Sequence, residues 1–217
     1  MLKPKAVLFD FDGTLVDSLD LLVKIFSQCF QAQGSTKKIT PAKIRSLIGF
    51  PLPVIFEKLT GSNNPDQIKE FTQRFQTLEK KRHTPKDLPL FSGVPKILAN
   101  LKHLKLGIVS TKPRALIEPY LQALELRQFF ASIIGGEDSQ NPKPHPEPLL
   151  LACQQLAVAT SATIFIGDSS LDLLAAQAAG IPFHGVLTGV ATSTDFQRHN
   201  LKNIHPSVSA IRNLTNI

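Results

Sequence analysis

Apolar and polar positions follow two alternating patterns along most of the chain. Short unbroken apolar runs occupy residues 6–11, 106–110, 131–135 and 163–167, with a weaker one at 183–187. Runs of that length without polar alternation suit central strands of a parallel sheet, covered on both faces. Between them, apolar residues recur at helical spacing. Val94, Ile97, Leu98, Leu101 and Leu104 mark one face of a helix over 94–104, and residues 114–126 and 146–156 repeat the pattern. Over 171–179, Leu171, Leu174, Ala175 and Ala178 are expected to form the packed face, with Gly180 as a left-handed stop. Strands alternating with helices imply βαβ units, and hence an α/β fold with a Rossmann-like parallel sheet.

One stretch breaks the alternation. From about residue 19 to residue 86 the periodicity is helical, over 19–30, 41–48, 53–59 and 66–81, with no strand pattern. An insert of that size is too long for a connection. It reads as an all-helical second domain over 18–86, set into an α/β core made of 1–17 and 87–217. The joints are expected near Asp17-Ser18 and near Pro85-Lys86-Asp87.

Bulk properties narrow the class. A chain of 217 residues buries most of its apolar surface without staples. Its two cysteines, Cys29 and Cys153, lie in apolar helical runs and read as buried free thiols, which suits a reducing compartment. The amino terminus shows no signal-peptide pattern, and no run is long enough to span a bilayer, so the cytoplasm is expected and no membrane partner. The net charge of +7 invites comparison with nucleic-acid binders, but those concentrate their charge and add stacking aromatics. Here Lys and Arg are dispersed apart from small clusters such as Lys80-Lys81-Arg82, Trp is absent and Tyr occurs once. No nucleic-acid role is expected; a solvated basic surface that attracts an anionic substrate remains.

The chemistry concentrates after the first apolar run, in Asp10-Phe11-Asp12-Gly13-Thr14-Leu15-Val16-Asp17-Ser18. Two carboxylates two residues apart point to one side of an extended chain. They stand where a parallel strand ends, the place where open α/β sheets bind ligands. Close negative charges repel unless a proton or cation joins them, and a hard, oxygen-liking ion such as Mg²⁺ is the simple partner. Asp168, in Ile166-Gly-Asp-Ser-Ser-Leu-Asp172, follows a later strand in the same way.

These residues resemble the motifs of the haloacid dehalogenase-like hydrolase superfamily, most closely its phosphoglycolate phosphatase and pyrophosphatase branch. The resemblance spans essentially the whole chain, with four motifs in order. The Asp10–Ser18 string matches the first. Ser110, in Ser110-Thr-Lys-Pro113, matches the second, whose hydroxyl holds a phosphate oxygen; relatives usually carry Asn where this chain has Thr111, which leaves a backbone N–H there. Lys143, in Asn141-Pro-Lys-Pro-His-Pro-Glu-Pro148, matches the third, and Asp168 the fourth. The resemblance implies Asp10 as nucleophile, Asp12 as the acid that protonates the leaving oxygen and the base that later activates water, and Ser110 and Lys143 as phosphate holders. It implies a Mg²⁺ site from Asp10, Asp12 (through its backbone carbonyl) and Asp168. Asp172 would act from behind, orienting Lys143. His145 is assigned no chemistry.

The resemblance also turns the helical insert into a cap that covers the site and selects the substrate. Arg45, in Arg45-Ser-Leu-Ile-Gly-Phe-Pro-Leu52, matches a cap element that could meet a substrate carboxylate, with Lys58, Lys81, Arg82 and Lys112 as weaker candidates. The expected activity is hydrolysis of a small phosphorylated metabolite resembling phosphoglycolate. Pyrophosphatase and sugar phosphomutase are the near alternatives, and a non-catalytic phospho-ligand binder the distant one. The sequence leaves monomer and dimer equally open.

Overall fold

The computed structural model describes residues 3–32 and 39–211; the parts of the expected core and insert at 1–2, 33–38 and 212–217 lie outside them. Among the described residues, a six-stranded sheet has the order β3-β2-β1-β4-β5-β6. Its strands are β1 (Ala6–Phe9), β2 (Lys105–Val109), β3 (Phe130–Ile134), β4 (Thr163–Gly167), β5 (Phe183–Val186) and β6 (Ile204–His205), with every pairing parallel. Strand alternation divides the core into two layers. Val7, Phe9, Ile108, Ile164 and Ile166 pack on one face against α5 (Val94–Asn100) and α6 (Arg114–Ala123). Ala6, Leu8, Val109 and Phe165 pack on the other against α7 (Glu147–Leu156), α8 (Ser170–Ala179) and α9 (Ser193–Gln197). Burial on both faces explains why these strands read as continuous apolar runs.

The stretch after β1 is helical: α1 (Leu19–Ala32), α2 (Pro41–Arg45), α3 (Leu52–Thr60) and α4 (Pro65–Arg82). These helices share an apolar cluster of their own. Phe71 lies at its centre, with ring centroids 4.9 Å from Phe30, 5.1 Å from Phe56 and 6.0 Å from Phe26. Each such ring, buried, contributes about 1.5–3 kcal/mol, which short helices need because they are marginal alone. Side-chain caps set the starts: Thr40 accepts from the Lys43 N–H of α2, and Asn64 from the Asp66 and Gln67 N–H groups of α4. The outgoing and returning chains run side by side. Asp17 N–H donates to the Pro89 carbonyl (2.8 Å) and Phe91 N–H to that of Leu15 (3.0 Å). His83, at the end of α4, lies against the rings of Phe11 and Tyr120.

Several expectations need correction. The first strand ends at Phe9 rather than residue 11, because Leu15 and Val16 donate to the Phe11 carbonyl and close a tight loop. The packed face of α8 is not the one expected. Leu174 and Ala178 are exposed, whereas Leu171, Asp172, Ala175, Ala176 and Ala179 are buried. In a short alanine-rich helix apolar spacing points to no single face, and the buried Asp172 decides the rotation. The helix expected over 41–48 stops at Arg45. Helix α9 and strand β6 were not expected; the first is one capped turn on Thr192 and the second is two residues long.

His184 on β5 is buried, with Nδ1 3.0 Å from Nε2 of His205. Burial, followed by the neighbouring His205, pushes its pKa down from 6.5 to about 4. The unfolded chain takes up this proton near 6.5 while the folded chain resists until about 4, so acid favours unfolding across that window. His184→Gln should therefore flatten the fall in stability between about pH 7.5 and about pH 5. Urea midpoints of both proteins at the two pH values check this; parallel falls would refute it.

Candidate active site

Three adjacent strands deliver the central residues. Asp10 follows β1, Ser110 follows β2 and Asp168 follows β4, with β1 lying between the other two. In register, Phe9 stands opposite both Ile108 and Ile166, which brings the three strand ends level. The ladder continues one step further, as Asp10 N–H donates to the Ile166 carbonyl (2.9 Å) and Ser110 N–H to that of Ile134 (2.9 Å). The chain builds β2 and β3 on one side of β1 and then crosses to build β4 to β6 on the other. The site thus sits where the winding direction switches, a crevice that open α/β sheets create without further help.

Lys143 reaches this crevice from the loop before α7. Its Nζ lies 2.5 Å from Asp172 Oδ1 and 3.1 Å from Asp10 Oδ1, and donates to the Val109 carbonyl at 3.1 Å. Burial works against the ammonium, but the Asp10 and Asp172 carboxylates outweigh it and hold its pKa above the usual 10.5. Asp172 is completely buried; its Oδ2 accepts from both the N–H (3.1 Å) and the hydroxyl (2.5 Å) of Ser169 in the capping box of α8. One aspartate therefore caps a helix and anchors the lysine.

The other acids are crowded. Burial pushes the Asp10 carboxyl up from 3.8 to about 7, Lys143 opposing and Asp172 assisting. Asp168 is raised well above 3.8 by burial, then by Asp10 and Asp172. Its oxygens accept from the Thr14 hydroxyl (3.0 Å) and the Val190 N–H (2.8 Å). The backbone closes tightly around it. Gly13 has φ +75°, and a Cβ there would lie 2.5 Å from Asp168 Oδ2; one on Gly189 would lie 1.7 Å from the same atom. A side chain at either position would displace the carboxylate. Thr188 ties the two loops together by donating to the Gly13 carbonyl (2.6 Å).

Carboxylate oxygens of Asp10, Asp168 and Asp172 lie within 4.8 Å of one another. Both Asp172 oxygens are occupied by Lys143 and Ser169, which leaves Asp10 and Asp168 to face a cation. Asp12 Oδ1 is buried without a hydrogen-bond partner, and Asp10 Oδ1 faces only the Lys143 ammonium. Buried carboxylate oxygens short of donors, two carboxyls raised chiefly by burial and an all-oxygen donor set fit a hard divalent ion. The Asp12 carboxylate stands outside this group. Its Oδ2 lies 3.2 Å from Lys112 Nζ, and Lys112 also pairs with Glu79 of α4.

A cavity of about 450 Å³ opens above these groups, lined by Asp10, Asp12, Ser110, Thr111, Lys143 and Asp168 together with residues of α1, α3 and α4. Arg45 is not brought to it. The guanidinium pairs with Asp20 one helix away, and its side chain is 43% exposed. Charge complementarity on the helical surface thus outcompeted the role read from its position. Lys58, Lys81 and Arg82 do not line the cavity, whereas Lys112 does. His145 is exposed, its Nδ1 accepting from the Glu147 N–H. Sequence reasoning missed Glu79, Thr188, Gly189 and Val190. Glu79 sits in a charged helical run with nothing to mark it, and the 188–190 loop contributes mainly backbone.

A family model of haloacid dehalogenase-like hydrolases matches residues 7–186. The chain belongs to the haloacid dehalogenase-like hydrolases. Within that family it groups with proteins named phosphoglycolate phosphatase. It is 34% identical over 198 residues to one from Xanthomonas campestris pv. campestris (strain 8004), covering 88% of this chain and 87% of the relative. It is 32% identical over 195 residues to one from Photorhabdus laumondii, covering 85% and 81%. A solved haloacid dehalogenase-like hydrolase from Bacteroides fragilis superposes with a TM-score of 0.90 at 35% identity, covering 95% of this chain and 99% of that one. No helix among the described residues is long and apolar enough to cross a membrane.

Because Asp172 is the tightest partner of a buried ammonium in this hydrolase, Asp172→Ala should lower stability by about 3 kcal/mol, a loss typical of breaking a buried ion pair. Chemical denaturation of the variant beside Asp172→Asn, which keeps one hydrogen bond to Lys143, checks it. An alanine variant as stable as wild type would show that Lys143 does not depend on this contact.

Proposed function

We propose that this hydrolase is a Mg²⁺-dependent phosphatase that cleaves a small phosphate monoester through an aspartyl phosphate on Asp10. The observation that carries the reading is the pairing of the Asp10 carboxylate with Lys143, beside Asp168, at the floor of a cavity large enough for a metabolite. The relatives' name, phosphoglycolate phosphatase, supports the reaction class.

Asp10 and Asp168, with the backbone carbonyl of Asp12, would hold the ion; when bound, it supplies positive charge that offsets repulsion between an anionic nucleophile and an anionic phosphoryl group. Lys143 adds a fixed charge on the other side, and the Ser110 hydroxyl and the backbone N–H after it offer donors to phosphoryl oxygens. The Asp10 carboxylate attacks phosphorus as the bond to the leaving oxygen breaks. Asp12 gives that oxygen its proton, so the alcohol departs neutral. Asp12, now ionised, takes a proton from a water molecule, whose oxygen attacks the aspartyl phosphorus and releases inorganic phosphate and free Asp10. Lys112, 3.2 Å from Asp12, holds that carboxyl toward the space the leaving group occupies.

Residues 18–86 act as the cap in this reading, with 1–17 and 87–217 as the core. The cavity supports that division, since its upper wall comes from α1, α3 and α4 and partly covers the reacting group. The free, buried thiols of Cys29 and Cys153 accord with a reducing cytoplasm.

Asp10→Asn should abolish phosphate release while leaving the circular dichroism spectrum unchanged, and Asp12→Asn should lower kcat by about 10²–10⁴. Steady-state phosphate release measures both; a working Asp10→Asn enzyme removes the nucleophile assignment. Chelation should stop turnover and added Mg²⁺ restore it. Full activity in excess chelator would dispose of the metal.

A further inference from the structure

The cavity above Asp10 and Asp12 contains a chemical asymmetry. Its volume of about 450 Å³ falls in the range that holds a drug-sized ligand, well beyond a phosphoryl group carrying two carbons. Its upper wall is apolar and partly aromatic, built from Leu22, Phe26, Ile48, Phe50, Ile55 and Phe75. Among the described residues, the basic side chains that line it are Lys112 and Lys143. Both are already matched. Lys143 lies between Asp10 and Asp172, and Lys112 between Asp12 and Glu79. Once the phosphoryl group occupies the neighbourhood of Lys143, no unpaired cation in this lining remains for a second anionic group.

Glu79 enforces the asymmetry. Its side chain is 8% exposed and projects from α4 onto the Lys112 ammonium. Burial works against that ammonium, yet Asp12 and then Glu79 hold its pKa above the usual 10.5. A carboxylate on the leaving group would have to sit beside Asp12 and Glu79, against apolar walls, with Lys112 already paired to Glu79. Such a charge is strongly disfavoured. An uncharged group meets no such barrier. Thr72, one turn before Gln76 on the same helix, also lines the cavity, and its hydroxyl is buried without a hydrogen-bond partner. It offers a neutral contact to a polar atom on an otherwise apolar ligand.

We infer that this phosphatase selects phosphate monoesters whose leaving group is uncharged and carries an apolar or aromatic body, and that Glu79 is the residue that turns away carboxylate-bearing esters such as phosphoglycolate. The inference rests on the phosphatase reading and departs from the substrate in the relatives' name.

The test compares kcat/KM for three esters with the full chain and excess Mg²⁺. Phosphoglycolate is set against 2-hydroxyethyl phosphate, which replaces the carboxylate by a neutral group of similar size, and against benzyl phosphate, which adds an aromatic body. The expected order is benzyl phosphate, then 2-hydroxyethyl phosphate, then phosphoglycolate, with about tenfold or more between the first and last. Phosphoglycolate used as well as either neutral ester overturns the inference and leaves the phosphatase reading standing. No phosphate release from any ester overturns the phosphatase reading, and the inference with it. Two variants test the determinant through the ratio of phosphoglycolate to benzyl phosphate turnover, which cancels any loss common to both esters. Glu79→Gln frees Lys112 from one anion, and Gln76→Lys brings a new cation to the same wall. Each should raise the ratio about tenfold. A ratio unmoved in both variants overturns the role of Glu79.

Discussion

Four carboxylates crowd the carboxyl edge of this sheet, and the rest of the site is arranged around their mutual repulsion. Asp10, Asp168 and Asp172 lie close enough to share an ion, and burial strengthens every interaction between them. Lys143 offsets part of that charge and is held by three oxygen acceptors, so its position is as determined as a backbone atom's. Asp10 and Asp168 are the two whose carboxyls are pushed up, so their charged forms are the ones left under-compensated. In the proposed mechanism a divalent ion would offset that charge and so let an anionic phosphoryl group approach Asp10.

A second charge balance joins the helical segment to the sheet. Asp12, Lys112 and Glu79 form a chain in which one ammonium serves an acid from the β1 loop and an acid from α4. In the proposed mechanism the proton donor is thus held by a lysine whose second partner comes from α4. In the proposed selectivity the same α4 carboxylate lines the space of the leaving group, so Lys112 joins the proton donor to the residue that would discriminate.

The loops that carry no chemistry are fitted to the same end. Gly13 and Gly189 press against Asp168 from two directions, and Thr14, Thr188 and Val190 supply hydrogen bonds that hold the loops in place. Packing this close leaves the carboxylate a single orientation. On the helical side, Phe26 and Phe30 stack on Phe71 and give α1 to α4 an apolar core of their own behind the wall of the cavity.

Much of this was legible in the chain. Short apolar runs suit strands covered on both faces, and three of them lead straight into Asp10, Ser110 and Asp168, so the parallel sheet and the polar groups at its edge follow from local pattern and strand geometry. The helical periodicity of the long insert is equally local. What sequence could not decide are contacts between surfaces brought together late. Arg45 faces Asp20 rather than the cavity, Asp172 turns α8 away from its apolar pattern, and Glu79 finds Lys112 across 33 positions. Periodicity records which side of an element is buried, through forces acting within a few residues. Which charge meets which across two packed surfaces depends on their relative placement, and that is set by the whole fold.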